Sequence, residues 1–131
     1  MTRIQFFNLG QDSLPKFILQ KLQKHLHSRK RAIIHCKDLS IEQKLAPYFA
    51  DLPLNYIVEG QTPAHGDYEL LINLCPTTPR QFGQFEEIWE IIGTDVDSGR
   101  EKYQLYKARG YTLTVANFNH EHSKQSASHS E

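Results

Sequence analysis

A chain of 131 residues with 15 Lys and Arg against 15 Asp and Glu has no formal net charge. That balance argues against a general nucleic-acid coat, which shows a large basic excess, and the length suits one domain with its own core. No apolar run reaches a membrane span, and Met1-Thr2-Arg3 leads into Ile4-Gln5-Phe6-Phe7 without the layout of a secretory signal. A cytoplasmic protein that makes no membrane contact is expected.

Residues 4–9 read as a first strand. Asp12 or Ser13 can cap the helix that follows, and Pro15 falls in its first turn, where a missing N–H costs nothing. That helix should run to about residue 28, because Phe17, Ile18, Leu22 and Leu26, with the stem of Lys21, recur at helical spacing as one apolar stripe. A second strand covers 31–36. Asp38 and Ser40 offer caps for a second helix through Leu45 toward Tyr48 and Phe49, which Pro47 must kink or restart. Residues 52–58 make a short candidate strand, and 60–67, with Pro63 and Gly66, an exposed loop.

A further strand is expected over 69–74, a helical turn over 81–85 and another strand over 86–92, E-E-I-W-E-I-I. Thr94, Asp95 and Ser98 stand where a last helix needs caps, Gly110 stops it, and 111–118 alternate as a final strand. From 119 onward the chain is polar and aperiodic. The expected organisation is a domain over 1–118 and a disordered tail over 119–131.

Setting aside the candidate at 52–58, the order strand, helix, strand, helix, strand, strand, helix, strand predicts an α/β fold. It would be a single open, mostly parallel sheet with helices on both faces. Rossmann-like sheets of this kind often bind nucleotides at the carboxyl ends of their strands. Here the first strand-to-helix turn has one glycine, Gly10, and no G-x-x-x-x-G-K-[ST] occurs. Without stacked glycines the backbone cannot approach a pyrophosphate. The expectation is a Rossmann-like sheet with no phosphate-binding loop and no cofactor.

Other chemistry is thinly supported. His25 and His27 point apart on a helix, and His120, His122 and His129 lie in the polar tail without a closing ligand set, so no metal site is expected. Cys36 and Cys75 form no C-x-x-C pair and fit reduced, buried thiols. Neighbouring His35 should point away from Cys36 across the strand. Glu86, Glu87 and Glu90 divide between strand faces, with no acid/base partner in view. Trp89 reads as core, with a place in a groove beside the last helix as the alternative.

The richest stretch is 100–117, R-E-K-Y-Q-L-Y-K-A-R-G-Y-T-L-T-V-A-N. On a helix, Arg100, Tyr103 and Lys107 share a face with Gln104 beside them, while Lys102, Tyr106 and Arg109 turn elsewhere. Cations around tyrosines suit an anionic peptide end, a phosphate or a stacked base. A basic last turn also stabilises any helix, and tyrosines at this spacing also pack on a core. Both readings stand on the pattern alone.

With these residues in view, the chain resembles the chi subunit of bacterial DNA polymerase III. The pattern R-x-x-Y-x-x-Y-K-x-x-G-[FY]-x-[LI] is present as Arg100, Tyr103, Tyr106, Lys107, Gly110, Tyr111 and Leu113. A-I-I-H-C-K-D at 32–38 and I-W-E-I-I-G at 88–93 are weaker supports. The resemblance implies a non-enzymatic adaptor that joins the clamp loader through the psi subunit. It would grip the acidic, Phe-ending C-terminal tail of single-stranded DNA-binding protein and contact DNA only indirectly. It also implies a tail site of Arg100, Tyr103, Gln104 and Lys107 with Ile92 as neighbour, Gln104 standing where the family usually has lysine. A degenerate α/β nucleotide-binding domain or enzyme, using strand-end loops near Gly10 and Asp38, is the alternative.

Overall fold

Each strand-forming run finds a parallel neighbour in the computed structural model, which describes residues 2–10, 13–27, 31–48, 55–61, 68–79 and 82–117. The strands are β1 (Arg3–Asn8), β2 (Ala32–Cys36), β3 (Asn55–Val58), β4 (Leu70–Asn73), β5 (Glu87–Ile92) and β6 (Leu113–Asn117). They form one six-stranded sheet in the order β3-β2-β4-β5-β1-β6. Every pairing is parallel, so the sheet is wholly rather than mostly parallel. The candidate strand at 52–58 is the edge strand β3; its first three positions lie outside the described residues, as do most of the 60–67 loop and the whole 119–131 tail.

Crossovers explain the layering. Parallel strands are joined right-handedly, so connections running in opposite directions along the sheet fall on opposite faces. The chain leaves β1 toward β2 through α1 (Leu14–His27), and leaves β5 toward β6, the other way, through α3 (Val96–Ala108). On one face Phe7, Ile34, Leu70, Ile72, Trp89 and Ile91 meet Phe17, Ile18 and Leu22 of α1 and Leu45 of α2 (Ser40–Leu45). On the other, Ile4, Phe6, Ile33, Leu71, Ile88 and Ile92 meet Tyr106 of α3. Burying each large apolar side chain contributes about 1.5–3 kcal/mol. Covered on both sides, β4 and β5 are buried at every position.

Local chemistry sets the helix limits. The backbone N–H of Lys16 faces Ser13 Oγ at 3.4 Å, with Pro15 in the first turn, and the Lys21 ammonium lies 5.5 Å from the Phe7 ring centre. Ser40 N–H donates to Asp38 Oδ1 at 2.9 Å. Pro47 lies in a 3-10 turn, Ala46–Tyr48, that replaces further α-helix. Asp95 caps α3, its Oδ1 accepting from Ser98 N–H at 3.2 Å.

The far end of α3 closes as a Schellman motif. Gly110 takes φ 87°, its N–H donates to Lys107 O, and Tyr111 N–H donates to Tyr106 O. The accompanying apolar contact is between the Tyr106 and Tyr111 rings, 6.4 Å apart.

Candidate functional site

Alternation along β5 sends Ile88, Glu90 and Ile92 toward α3. At the strand end the helix comes in close: a Cβ on Gly99 would stand 3.1 Å from both Cδ1 and Cγ2 of Ile92. Phe6 and Asn8 of β1 and Val115 of β6 complete a concavity with Ile92, Val96, Gly99, Arg100 and Tyr103, about 220 Å³ in volume. Val96 and Val115 are large apolar residues left 51 % and 54 % exposed. The Tyr103 ring stands edge-on to Phe6, centres 5.5 Å apart, and Arg100 is exposed.

Three expected site residues, Ile92, Arg100 and Tyr103, therefore line one concavity. Gln104 and Lys107 are exposed on α3 but are not among its lining residues. Phe6, Asn8, Val96, Gly99 and Val115 were not foreseen. Phe6 and Val115 meet only through the β1–β6 register, in which they are partners. An apolar slot rimmed by a guanidinium can hold an apolar side chain next to a carboxylate. Its volume falls below the roughly 300–1,000 Å³ of pockets that enclose cofactors.

Beneath the concavity lies a buried polar network. Glu90, fully buried, accepts from Lys102 Nζ at 2.8 Å, from Tyr106 Oη at 2.6 Å and from Asn73 Nδ2 at 2.9–3.0 Å. Lys102 also donates to the Cys75 carbonyl at 2.8 Å and is only 3 % exposed. Burial pushes the Glu90 carboxyl above its ordinary value, and the Lys102 ammonium opposes the shift. Lys102 is thus a neutralised interior charge and cannot serve as a surface cation. Of the four cations in 100–117, three remain to act outward. The partner that Glu90 lacked on paper is supplied by α3.

Trp89 is core, as expected, but on the α1 face, its ring 5.8 Å from Phe7 and its Nε1 donating to Glu87 at 2.9 Å. Its alternative place, in a groove beside the last helix, is excluded: residue 89 points opposite to 90 and 92.

His35 turns away from Cys36, whose Sγ donates to Ile57 O at 3.4 Å. Instead His35 Nε2 lies 3.9 Å from Cys75 Sγ, and its Nδ1 lies 2.8 Å from Asn73 Oδ1. Cysteine, histidine and asparagine so arranged have the composition of a nucleophilic triad. Burial pushes the Cys75 thiol up to about 12 and leaves the residue 1 % exposed, so it offers no thiolate at neutral pH. The hollow beside Gly10, about 320 Å³, is lined by Leu9, Leu14, Leu74, Ile91, Gly93 and Thr94, with no Lys or Arg among its described lining residues to hold a phosphate. No helix among the described residues is long and apolar enough to cross a membrane.

Fold and motif together define a Rossmann-like α/β module without a phosphate-binding loop. Residues 50–114 match the family described as DNA polymerase III chi subunit, HolC, and the chain belongs to that family. The match spans β3 to the start of β6, taking in Glu90, Ile92 and all of α3. No curated protein matches the sequence. Family membership makes this a subunit of DNA polymerase III, with a role in DNA replication.

Proposed function

We propose that the protein is a non-enzymatic adaptor whose concavity at the start of α3 receives the C-terminal tail of single-stranded DNA-binding protein. In this reading the psi subunit connects it to the clamp loader. The observation that carries the proposal is that Arg100, Tyr103 and Ile92 surround one slot whose rim is finished by two exposed valines. The last side chain of a Phe-ending tail would enter the slot beside Tyr103, and its terminal carboxylate would meet the Arg100 guanidinium. Lys107, one helical turn beyond Tyr103, gives flanking acids a positive field. Gln104 weakens that field relative to the family's usual lysine, and the interior Lys102 offers no compensation. A short peptide held this way binds with a dissociation constant on the order of micromolar, with marked salt sensitivity.

Titration of a fluorescent tail peptide tests the site. Arg100→Ala and Tyr103→Ala should each lose about 1–3 kcal/mol of binding while retaining the fold by circular dichroism. Wild-type curves from both folded variants would overturn the assignment. Co-purification with single-stranded DNA-binding protein, lost when its last few residues are removed, tests the adaptor role.

A further inference from the structure

We propose that Lys102 is a positioning residue for the tail site: locked to Glu90 and to the Cys75 carbonyl, it sets the seat of α3 at which Arg100 and Tyr103 flank Ile92. This rests on the reading of the concavity as a tail site. The same strand and helix build both features. β5 supplies Glu90 to the lock and Ile92, two residues on and on the same face, to the slot. α3 supplies Lys102 and Tyr106, one turn apart, to the lock, and Gly99, Arg100 and Tyr103 to the slot. Any rotation or slide of α3 that carried Arg100 away from Ile92 would also draw Lys102 off Glu90.

The carboxylate cannot follow such a movement, because it is held from the sheet side. Asn73 Nδ2 bonds both of its oxygens and also the Thr77 carbonyl at 2.9 Å, while Asn73 Oδ1 meets His35 Nδ1. At the start of α3, residues 95–97 are exposed, and the contacts with the sheet are the apolar ones of Gly99 with Ile92 and Tyr103 with Phe6. Apolar packing tolerates small slides, whereas a satisfied buried network admits one arrangement. The titratable and charged groups around the carboxylate are Lys102 and Tyr106 from α3, Cys75 after β4, and His35 of β2 behind Asn73.

Tail-peptide titration of the full chain at pH 8 and pH 6 tests the role, with Lys102→Met, Glu90→Gln/Lys102→Met and wild type compared over the folded fraction. In Lys102→Met the Glu90 carboxylate is left buried without its countercharge. Affinity should fall roughly tenfold at pH 8, with recovery in the direction of lower pH, because burial raises the Glu90 carboxyl and acid favours its neutral form. The double variant, with no carboxylate to titrate, should be weaker than wild type and lack that recovery. A purely structural lysine would change the folded fraction and leave the affinity of folded protein alone. Wild-type affinity in folded Lys102→Met at both pH values overturns the positioning role while the tail reading stands. No binding by wild type overturns both. If Lys102→Met does not fold, the double variant decides, and an affinity within about twofold of wild type overturns the role.

Discussion

Gly99 shows how much of the site depends on a single missing side chain. It is buried on α3, and its bare Cα lets the helix settle against Ile92, where a methyl group would be 3.1 Å from two side-chain carbons. Gly99→Ala should therefore displace Ile92 or lift the first turns of α3. We expect tail-peptide affinity to fall by about 1–2 kcal/mol, since overpacking of this size costs about 1–3 kcal/mol in a well-packed contact. The fold itself should survive, because an alanine also raises helix propensity by about 1 kcal/mol over glycine. Isothermal titration beside a thermal melt checks this; an unshifted affinity would show that Ile92 yields freely. Helical spacing set Arg100 and Tyr103 on one face of α3 but left core packing and partner binding equally open, and it was the resemblance that pointed to a tail site there. Val96 was hidden in a capping sequence, D-V-D, and Val115 in an ordinary edge strand. Lys102 looked like a surface cation because its partner lies twelve residues back, in an apolar strand, and only the crossover brings them together.

At the level of elements, the pattern that revealed the family divides into two jobs. Arg100 and Tyr103 line the slot and Lys107 is exposed. Tyr106, Gly110, Tyr111 and Leu113 build the fold: a buried ring bonded to Glu90, a left-handed stop, a ring packed on Phe82 and Tyr106, and the entry into β6. A motif read as a binding signature is thus largely a recipe for ending one helix and starting one strand. Gly110 isolates that part, since nothing lies within 4 Å of its would-be Cβ and φ is 87°. Gly110→Ala should lower unfolding free energy by roughly 1–2 kcal/mol through backbone strain alone, with tail affinity unchanged. Urea denaturation followed by circular dichroism, run beside a titration, checks both halves. Turn chemistry made this boundary legible from sequence. The face taken by Trp89 was only half legible: parity groups it with Ile91 rather than Ile92, but the crossovers are what assign that parity to the α1 face.

For the whole molecule, buried weak acids should give the stability an alkaline limit. Cys75 is raised to about 12, and Cys36 and Tyr106 are also raised, chiefly by burial, so all three stay neutral in the fold. The unfolded chain ionises these groups from about pH 8.5 to 10. Their contribution is therefore complete below that range and is lost as pH rises toward 12, at up to roughly 1.4 kcal/mol per pH unit for each group. Urea midpoints at pH 7, 9 and 10.5 should fall in that order, and Cys75→Ala should flatten the last interval. A flat profile in the wild type would contradict the buried-thiol account. Architecture at this scale was the most readable property of the sequence, because strand and helix periods alternate along it. Strand order was not, since pairing between distant segments leaves no local mark.

The central place of β1 has a consequence in time. Arg3 of the first strand pairs with Glu87, 84 residues away, and the other edge of β1 takes β6 at the far end of the described chain. A nascent chain holds β1 without either neighbour until residues 87–92 and then 113–117 have been made, and pairings so distant close slowly. The slot draws its walls from β1, β5, α3 and β6 together. Competence to hold a partner therefore arrives only with the last strand, so a half-made or clipped subunit presents no slot to a partner.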